Sequence, residues 1–146
     1  QKEFDLRAKL SVECRLYLEN AEDMPVIVSC GRWQDRGWFL QKLGGAWRWH
    51  LGGIDCDGGT VPVKQWVHLV GTYDGAKAKL YQNGKEVAAV RCRPNQTPWQ
   101  QPLFVGQYGA GPGPQYQVHG RIAGLKIYRC ALTAREVAAS FKKERQ

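Results

Sequence analysis

Two stretches, "GRWQDRGW" over 31–38 and "AWRWHLGG" over 46–53, interleave aromatic with cationic side chains. Sugars present apolar C–H faces edged with hydroxyls, so an exposed Trp or Tyr can stack on a ring while Arg, Asn, Gln or His bonds its rim. Arg also pairs bidentately with a carboxylate or sulfate. The pattern describes binding without covalent chemistry, and it suits an acidic glycan. Trp47, Trp49 and Leu51 alternate along one strand and so face the core, which leaves Arg48 and His50 on the opposite face. Trp38 is assigned to the interior as well. Trp33 stands in a loop between Arg32 and Arg36, Trp99 lies between two prolines, and Tyr108 and Tyr116 bracket "GAGPGPQ". The expected ligand contacts are Arg32, Trp33, Arg36, Arg48, His50, Trp99, Tyr108 and Tyr116. The aromatics stack, and the others bond hydroxyl or acidic groups.

Asp55 and Asp57 in "GGIDCDGG" form a small acidic cluster. They would share a face only if that segment were extended, and the flanking glycines favour a turn with solvated acids. A hard cation wants several oxygens, so calcium, held with loop carbonyls, is the one cofactor the composition allows there. Glu22 and Asp23 are an equally modest candidate. His50, His68 and His119 are far apart, and none sits in a metal-ligand spacing. The five cysteines lack C-x-x-C pairing, which argues against zinc and redox motifs. Their odd number leaves at least one unpaired thiol within a monomer, and Cys14 alternates with Val12, Leu16 and Leu18 as a small core residue. If a bridge forms, Cys56 with Cys92 is the expected pair, although sequence does not set connectivity.

The elements that must carry these groups are short strands. "AKLSVECRLYLE" alternates Leu10, Val12, Cys14, Leu16 and Leu18 against Ser11, Glu13, Arg15 and Tyr17, the period of a half-buried strand. "MPVIVSCGR", "GWFLQKL" and "AWRWHLG" supply more, and "WVHLVGTYDGAKAKLYQNGKEVAAV" reads as three strands joined at Asp74-Gly75 and Asn83-Gly84. Those dipeptides accept the positive backbone angles of tight hairpins. Many short strands with glycine turns give a sandwich or closed barrel. Residues 94–120 hold one short strand, "LFVG", between Pro/Gly-rich loops of a length that is more often functional. After "GRIAGLKIYR", Thr133 and Glu136 form a capping box that starts a terminal helix.

The 146 residues fit one domain, 1–146, with a single core, expected to be excised from a larger protein. No apolar run reaches membrane-spanning length. A net charge of +8 favours polyanionic partners such as sulfated or uronic glycans, nucleic acid or an anionic cell surface. The cations are scattered, not blocked, so solvated faces and a real anion site stand level.

Several stretches together resemble the laminin-G-like, concanavalin-A-like jelly roll, particularly its bacterial and pentraxin-related branch. "WVHLVGTYDGAKAKLYQNGKEVA" is similar to that family's W-x-H-(apolar)-x-G-T-Y-D-G…L-Y-x-N-G-K segment, "PLFVGQ" to its P-L-x-(Ile/Val)-G strand, and "VHGRIAGLKIYRCALTAREV" to its closing motif. "LSVECRLYLE" resembles its first core strand. The resemblance implies an all-β fold, an antiparallel β-sandwich jelly roll with a short C-terminal helix. It places Trp66, His68, Tyr73 and Tyr81 in the packing framework, and it puts the protein outside the cell, at the cell surface or in the periplasm. Where the family often has an acid after the closing isoleucine, this chain has Ala123, so a calcium ligand of relatives would be lost.

Hydrolases of this fold family use an E-x-D-x-E strand, which holds acid and nucleophile at the separation that glycoside chemistry demands. None occurs among the thirteen acidic residues. No residue is singled out for a lyase's Tyr/His/Arg set either. The expectation is a non-catalytic, lectin-like module for acidic polysaccharide or cell-surface glycan. An adhesion or assembly module binding another protein, or the rest of its own chain, comes second. A polysaccharide-cleaving enzyme is third. Nucleic acid ranks below glycan, because no DNA- or RNA-binding motif accompanies the charge, and membrane insertion is not expected.

Overall fold

The computed structural model describes residues 6–145. Its strands are β1 (Leu10–Leu18), β2 (Val26–Gly31), β3 (Gly37–Leu43), β4 (Ala46–Leu51), β5 (Ile54–Gly58), β6 (Trp66–Tyr73), β7 (Lys77–Gln82), β8 (Lys85–Arg91), β9 (Phe104–Val105) and β10 (Gly120–Tyr128), followed by helix α1 (Ala134–Arg145). They form two antiparallel five-stranded sheets, in the orders β10-β1-β6-β7-β8 and β5-β4-β3-β2-β9. The expected all-β sandwich with a terminal helix is therefore the observed architecture.

The turn chemistry works as the dipeptides imply. Asp74 Oδ1 accepts the Ala76 and Lys77 amides at 2.9 and 2.7 Å. Asn83 and Gly84 both take positive φ, 51° and 82°, which is the geometry of a two-residue hairpin.

Between the sheets lies a cluster that includes Leu10, Val12, Cys14 and Leu16 of β1, Trp38 and Leu40 of β3, Trp47 and Trp49 of β4, and Leu69 and Leu80 of the facing sheet. Burial of roughly 200 Å2 per indole at about 25 cal/mol/Å2 is on the order of 5 kcal/mol of transfer free energy for each Trp. Polar tips are satisfied: Trp47 Nε1 donates to the carbonyl of Thr60, in the loop after β5, at 2.8 Å, and Trp49 Nε1 crosses the sandwich to the Thr72 carbonyl at 3.0 Å. Gly71 makes room for this contact, since a Cβ there would lie 2.5 Å from the Trp49 ring.

The outer face of the first sheet departs from the half-buried pattern. Ser11 and Glu13 are buried, Ser11 bonded to the Cys130 carbonyl and the Leu132 amide ahead of α1 and Glu13 to Ser140 of α1 itself. The helix starts on the expected box, with Thr133 and Glu136 exchanging hydrogen bonds at 3.0 and 3.1 Å, and it drops Val137 onto Val70 and Tyr81. Glu13, 1% exposed, accepts from Tyr128 Oη at 2.7 Å and from Ser140 Oγ of α1, and pairs with His68 Nε2 at 2.6 Å. Burial opposes its charge, but the hydrogen bonds from His68, Ser140 and Tyr128 outweigh that and hold the carboxyl down at about 2.

Three other expectations change. Trp66 is a surface residue, 41% exposed, at the first position of β6, the one exposed place in that strand. Asp55-Cys56-Asp57 is strand β5 and not a turn, since cross-strand pairing with β4 overrides the flanking glycines. Cys56 and Cys92 are both thiols and are not bridged to each other. Cys14 is buried in the core.

Candidate functional site

The second sheet turns its outer face to a cleft. Antiparallel register aligns Phe39, His50 and Asp55 in one row across β3, β4 and β5, and Gln41, Arg48 and Asp57 in the next. In the first row the Phe39 ring stacks on His50, with centroids 4.6 Å apart and planes 16° from parallel. His50 Nδ1 lies 2.6 Å from Asp55 Oδ1, and His50 Nε2 accepts the Gln34 amide at 3.2 Å. An imidazole that donates from Nδ1 and accepts at Nε2 is the neutral tautomer. Burial pushes its pKa down against the pull of Asp55. In the second row Arg48 donates Nε and Nη2 to the two Asp57 oxygens, both at 2.9 Å. That bidentate bond outweighs burial and holds the guanidinium pKa above its usual value. Arg48 Nε also lies 3.4 Å from Asp55 Oδ1.

Two loops close over these rows. The segment between β2 and β3 is fastened by its own backbone: the Trp33 amide donates to Tyr108 Oη at 2.8 Å, beside the bond from Gln34 to His50. The Pro/Gly-rich segment after β9 is held by Gln107, whose Oε1 accepts the amides of Tyr108 and Gly113 at 2.8 and 3.3 Å. Ser29 Oγ donates to the Gln107 carbonyl at 2.9 Å and accepts the Gly109 amide at 3.0 Å. A short 3-10 turn at Pro114–Tyr116 then sets Tyr116 beside Tyr108. Tyr108 meets Phe39 edge-on at 5.5 Å and Tyr116 at 5.1 Å, both in T-shaped pairs.

The result is a hollow of about 460 Å3, walled by Trp33, Tyr108 and Tyr116, with Phe39 among its apolar lining and Gln41 and Arg48 at its polar side. Trp33 is 49% exposed. Across the 32–36 loop lies a second, more open hollow of about 280 Å3, lined by Arg32, Arg36, Pro98, Trp99, Gln100 and Gln101. Arg32 and Arg36 share the carboxylate of Asp35, with Arg32 Nε at 3.1 Å and Arg36 Nε at 3.0 Å. Two guanidinium groups on one carboxylate leave a positive loop, and the hydrogen bond from Arg32 holds the Asp35 carboxyl below its ordinary value.

The eight residues expected from sequence thus fall into three places. Trp33, Arg48, Tyr108 and Tyr116 line the larger hollow, and Arg32, Arg36 and Trp99 line its neighbour. His50 is 0% exposed and stands beneath the rings with both nitrogens engaged. Sequence reasoning missed Phe39 and Gln41 as lining residues. The alternation of Trp38 and Leu40 inward in "GWFLQKL" was the available signal for them.

Calcium at Asp55 and Asp57 does not fit the observed geometry. The Arg48 guanidinium already pairs with both carboxylates, and a divalent ion would have to displace it. Among the described residues no group of three or more His, Cys, Asp or Glu side chains is placed to hold a metal.

The chain matches the family model of the laminin G type within the concanavalin A-like lectin/glucanases superfamily over residues 2–138. It belongs to that family. Mouse (Mus musculus) pappalysin-1 is 35% identical over 80 residues, which is 53% of this chain and 5% of pappalysin-1. The chain therefore spans a small fraction of that relative's length. A candidate carbohydrate-binding protein of Bacteroides ovatus superposes with a TM-score of 0.74 at 15% identity, over 90% of this chain and 40% of its own. The native heptameric SAP-like pentraxin of Limulus polyphemus gives 0.70 at 17%, over 90% and 68%. At such identities these two likenesses are likenesses of fold. No helix of the described residues is long and apolar enough to cross a membrane.

Proposed function

We propose that this laminin G-like domain is a non-catalytic carbohydrate-binding module, working as one unit of a larger extracellular protein, and that the hollow of Trp33, Tyr108 and Tyr116 is its site. The observation that carries this reading is the arrangement of the three rings. Trp33 is tied to Tyr108 through its backbone, and Tyr108 to Phe39 and Tyr116 edge-on, so the aromatic walls are preorganised before a ligand arrives. A volume of about 460 Å3 lies within the range of small-ligand sites. Arg48 engages Asp57 with two of its donors and keeps others for a hydroxyl or acidic group. The positive Arg32–Arg36 loop beside it favours an acidic saccharide over a neutral one.

The same contacts support binding without cleavage. Asp55 and Asp57 are held by His50 and Arg48, Asp35 by Arg32 and Arg36, and no carboxylate is among the residues that line the hollow. A glycosidase needs two carboxyl groups flanking the scissile bond. A glycan array read at low and high salt is the test. Acidic glycans should bind, more weakly at high salt. Trp33→Ala or Tyr116→Ala should weaken that binding by about 1–2 kcal/mol, roughly five- to thirtyfold. Silence across acidic and neutral glycans, or cleavage of a bound one, would overturn the proposal.

A further inference from the structure

The two hollows differ in charge. They meet at the 32–36 loop, where Trp33 lines the larger one and Arg32, the residue before it, lines the smaller one with Arg36. Consecutive Cα atoms are about 3.8 Å apart, so the hollows adjoin at a single peptide unit. The far wall of the smaller hollow is Pro98, Trp99, Gln100 and Gln101. That segment is fastened to the turn after β4: the Asn95 amide donates to the Gly52 carbonyl at 2.9 Å, and Asn95 Oδ1 accepts the Thr97 amide at 3.0 Å. Trp99 also packs against the core, which holds the wall in place.

Among the described residues Arg48 is the only charged one that lines the larger hollow, and it is outnumbered. Asp57 accepts its Nε and Nη2, both at 2.9 Å, and Asp55 Oδ1 stands 3.4 Å from the same Nε. Glu22 and Asp23, both exposed, directly precede Met24, another lining residue. The Lys42 ammonium is buried and bonded to the Ala21 and Asp23 carbonyls. A carboxylate or sulfate entering there would meet more negative than positive charge, so the remaining N–H groups of Arg48 suit a hydroxyl. The smaller hollow has the reverse balance. Arg32 and Arg36 share the one carboxylate of Asp35, Arg32 through Nε and Nη2 and Arg36 through Nε alone. Arg32 keeps Nη1 for a ligand, and Arg36 keeps both Nη groups. Their side chains are 56% and 36% exposed. No acidic residue occurs in the chain between Glu86 and Glu136, the stretch that supplies the facing wall.

We propose that the domain reads its glycan across both hollows: an uncharged ring stands between Trp33, Tyr108 and Tyr116, and the carboxylate or sulfate of the adjoining sugar pairs with Arg32 and Arg36. A guanidinium matches either anion with parallel N–H bonds. The ligand class is therefore an oligosaccharide of at least two residues whose acid groups sit on alternate sugars, not on every one. This rests on the sugar reading of the larger hollow and adds to it the place where charge is read.

The test is calorimetric titration with oligosaccharides of matched length. Hyaluronan carries a carboxylate on alternate rings, keratan sulfate carries sulfate without carboxylate, and oligogalacturonate carries a carboxylate on every ring. The first two are run beside their neutral counterparts, carboxyl-reduced and desulfated. Hyaluronan or keratan sulfate should bind about tenfold more tightly than its neutral counterpart and than oligogalacturonate, and which of them does so tells carboxylate from sulfate. The double change Arg32→Gln with Arg36→Gln should remove that preference, as should high salt, and leave the neutral counterpart's affinity unchanged. Tyr116→Ala should weaken acidic and neutral ligands alike. Thermal melts exclude misfolding as the cause, and Arg32→Lys with Arg36→Lys should retain part of the preference. Oligogalacturonate binding as tightly as the better alternating ligand, no preference over the neutral counterparts, or equal loss of acidic and neutral binding in the double glutamine variant would each overturn this placement and leave the sugar reading standing. Binding of neither alternating ligand would overturn it too, and silence across the glycan array would take the sugar reading with it.

Discussion

Acidification should detach α1 through a single carboxylate. Glu13 falls from an ordinary 4.5 to about 2 in the folded protein. A depression of that size, at about 1.4 kcal/mol per unit, makes the ionised group worth on the order of 3 kcal/mol of folding free energy. Because the folded-state value is the lower one, this stability is fully present above pH 4.5 and is lost as pH falls towards 2. Its physical source is the enclosure of Glu13 by Tyr128, Ser140 and His68, so protonation discharges the carboxylate, weakens these bonds and loosens the helix. Asp35 and Asp74 are depressed too, so the wild-type curve alone is not diagnostic. The assay is urea unfolding of wild type and Glu13→Gln between neutral pH and about 2, read as the difference in stability. That difference should be about 3 kcal/mol at neutral pH and shrink towards zero at the acid end. A difference independent of pH would refute the reasoning.

Two further substitutions probe the site and its scaffold. Tyr108→Phe keeps the ring contacts but removes the acceptor of the Trp33 amide, and should cost about 1 kcal/mol of stability by thermal melt and weaken glycan binding severalfold. Gly71→Ala should lower stability by about 1–3 kcal/mol in urea unfolding, because its Cβ would press on the buried Trp49 ring.

What could be read from sequence was local. The alternation of Trp47, Trp49 and Leu51, the Asp74-Gly75 and Asn83-Gly84 hairpins and the Thr133/Glu136 box each depend on a few neighbouring residues, and each has the expected form. The rest depends on which strands and loops come to lie against one another. Asp55 and Asp57 look like turn acids until His50 and Arg48 stand opposite them in register. The pattern of β1 says that Glu13 faces outward, and nothing in it says that Ser140 will cover that face. Trp33 and Tyr108 were both legible as loop aromatics, but their meeting requires β9 to pair with β2, a two-residue ladder that no periodicity announces. The same distance effect hid Phe39, which reads as one more strand residue until Tyr108 and His50 close on it.

The central claim is that the ring-walled hollow takes the sugar. An acidic oligosaccharide that scores on the array, titrated into protein with labelled tryptophan indoles, tests it most directly. Saturable movement of the Trp33 signal, with Trp66 unmoved and the response abolished by Tyr116→Ala, is the predicted result. Saturable binding that leaves Trp33 untouched would contradict it.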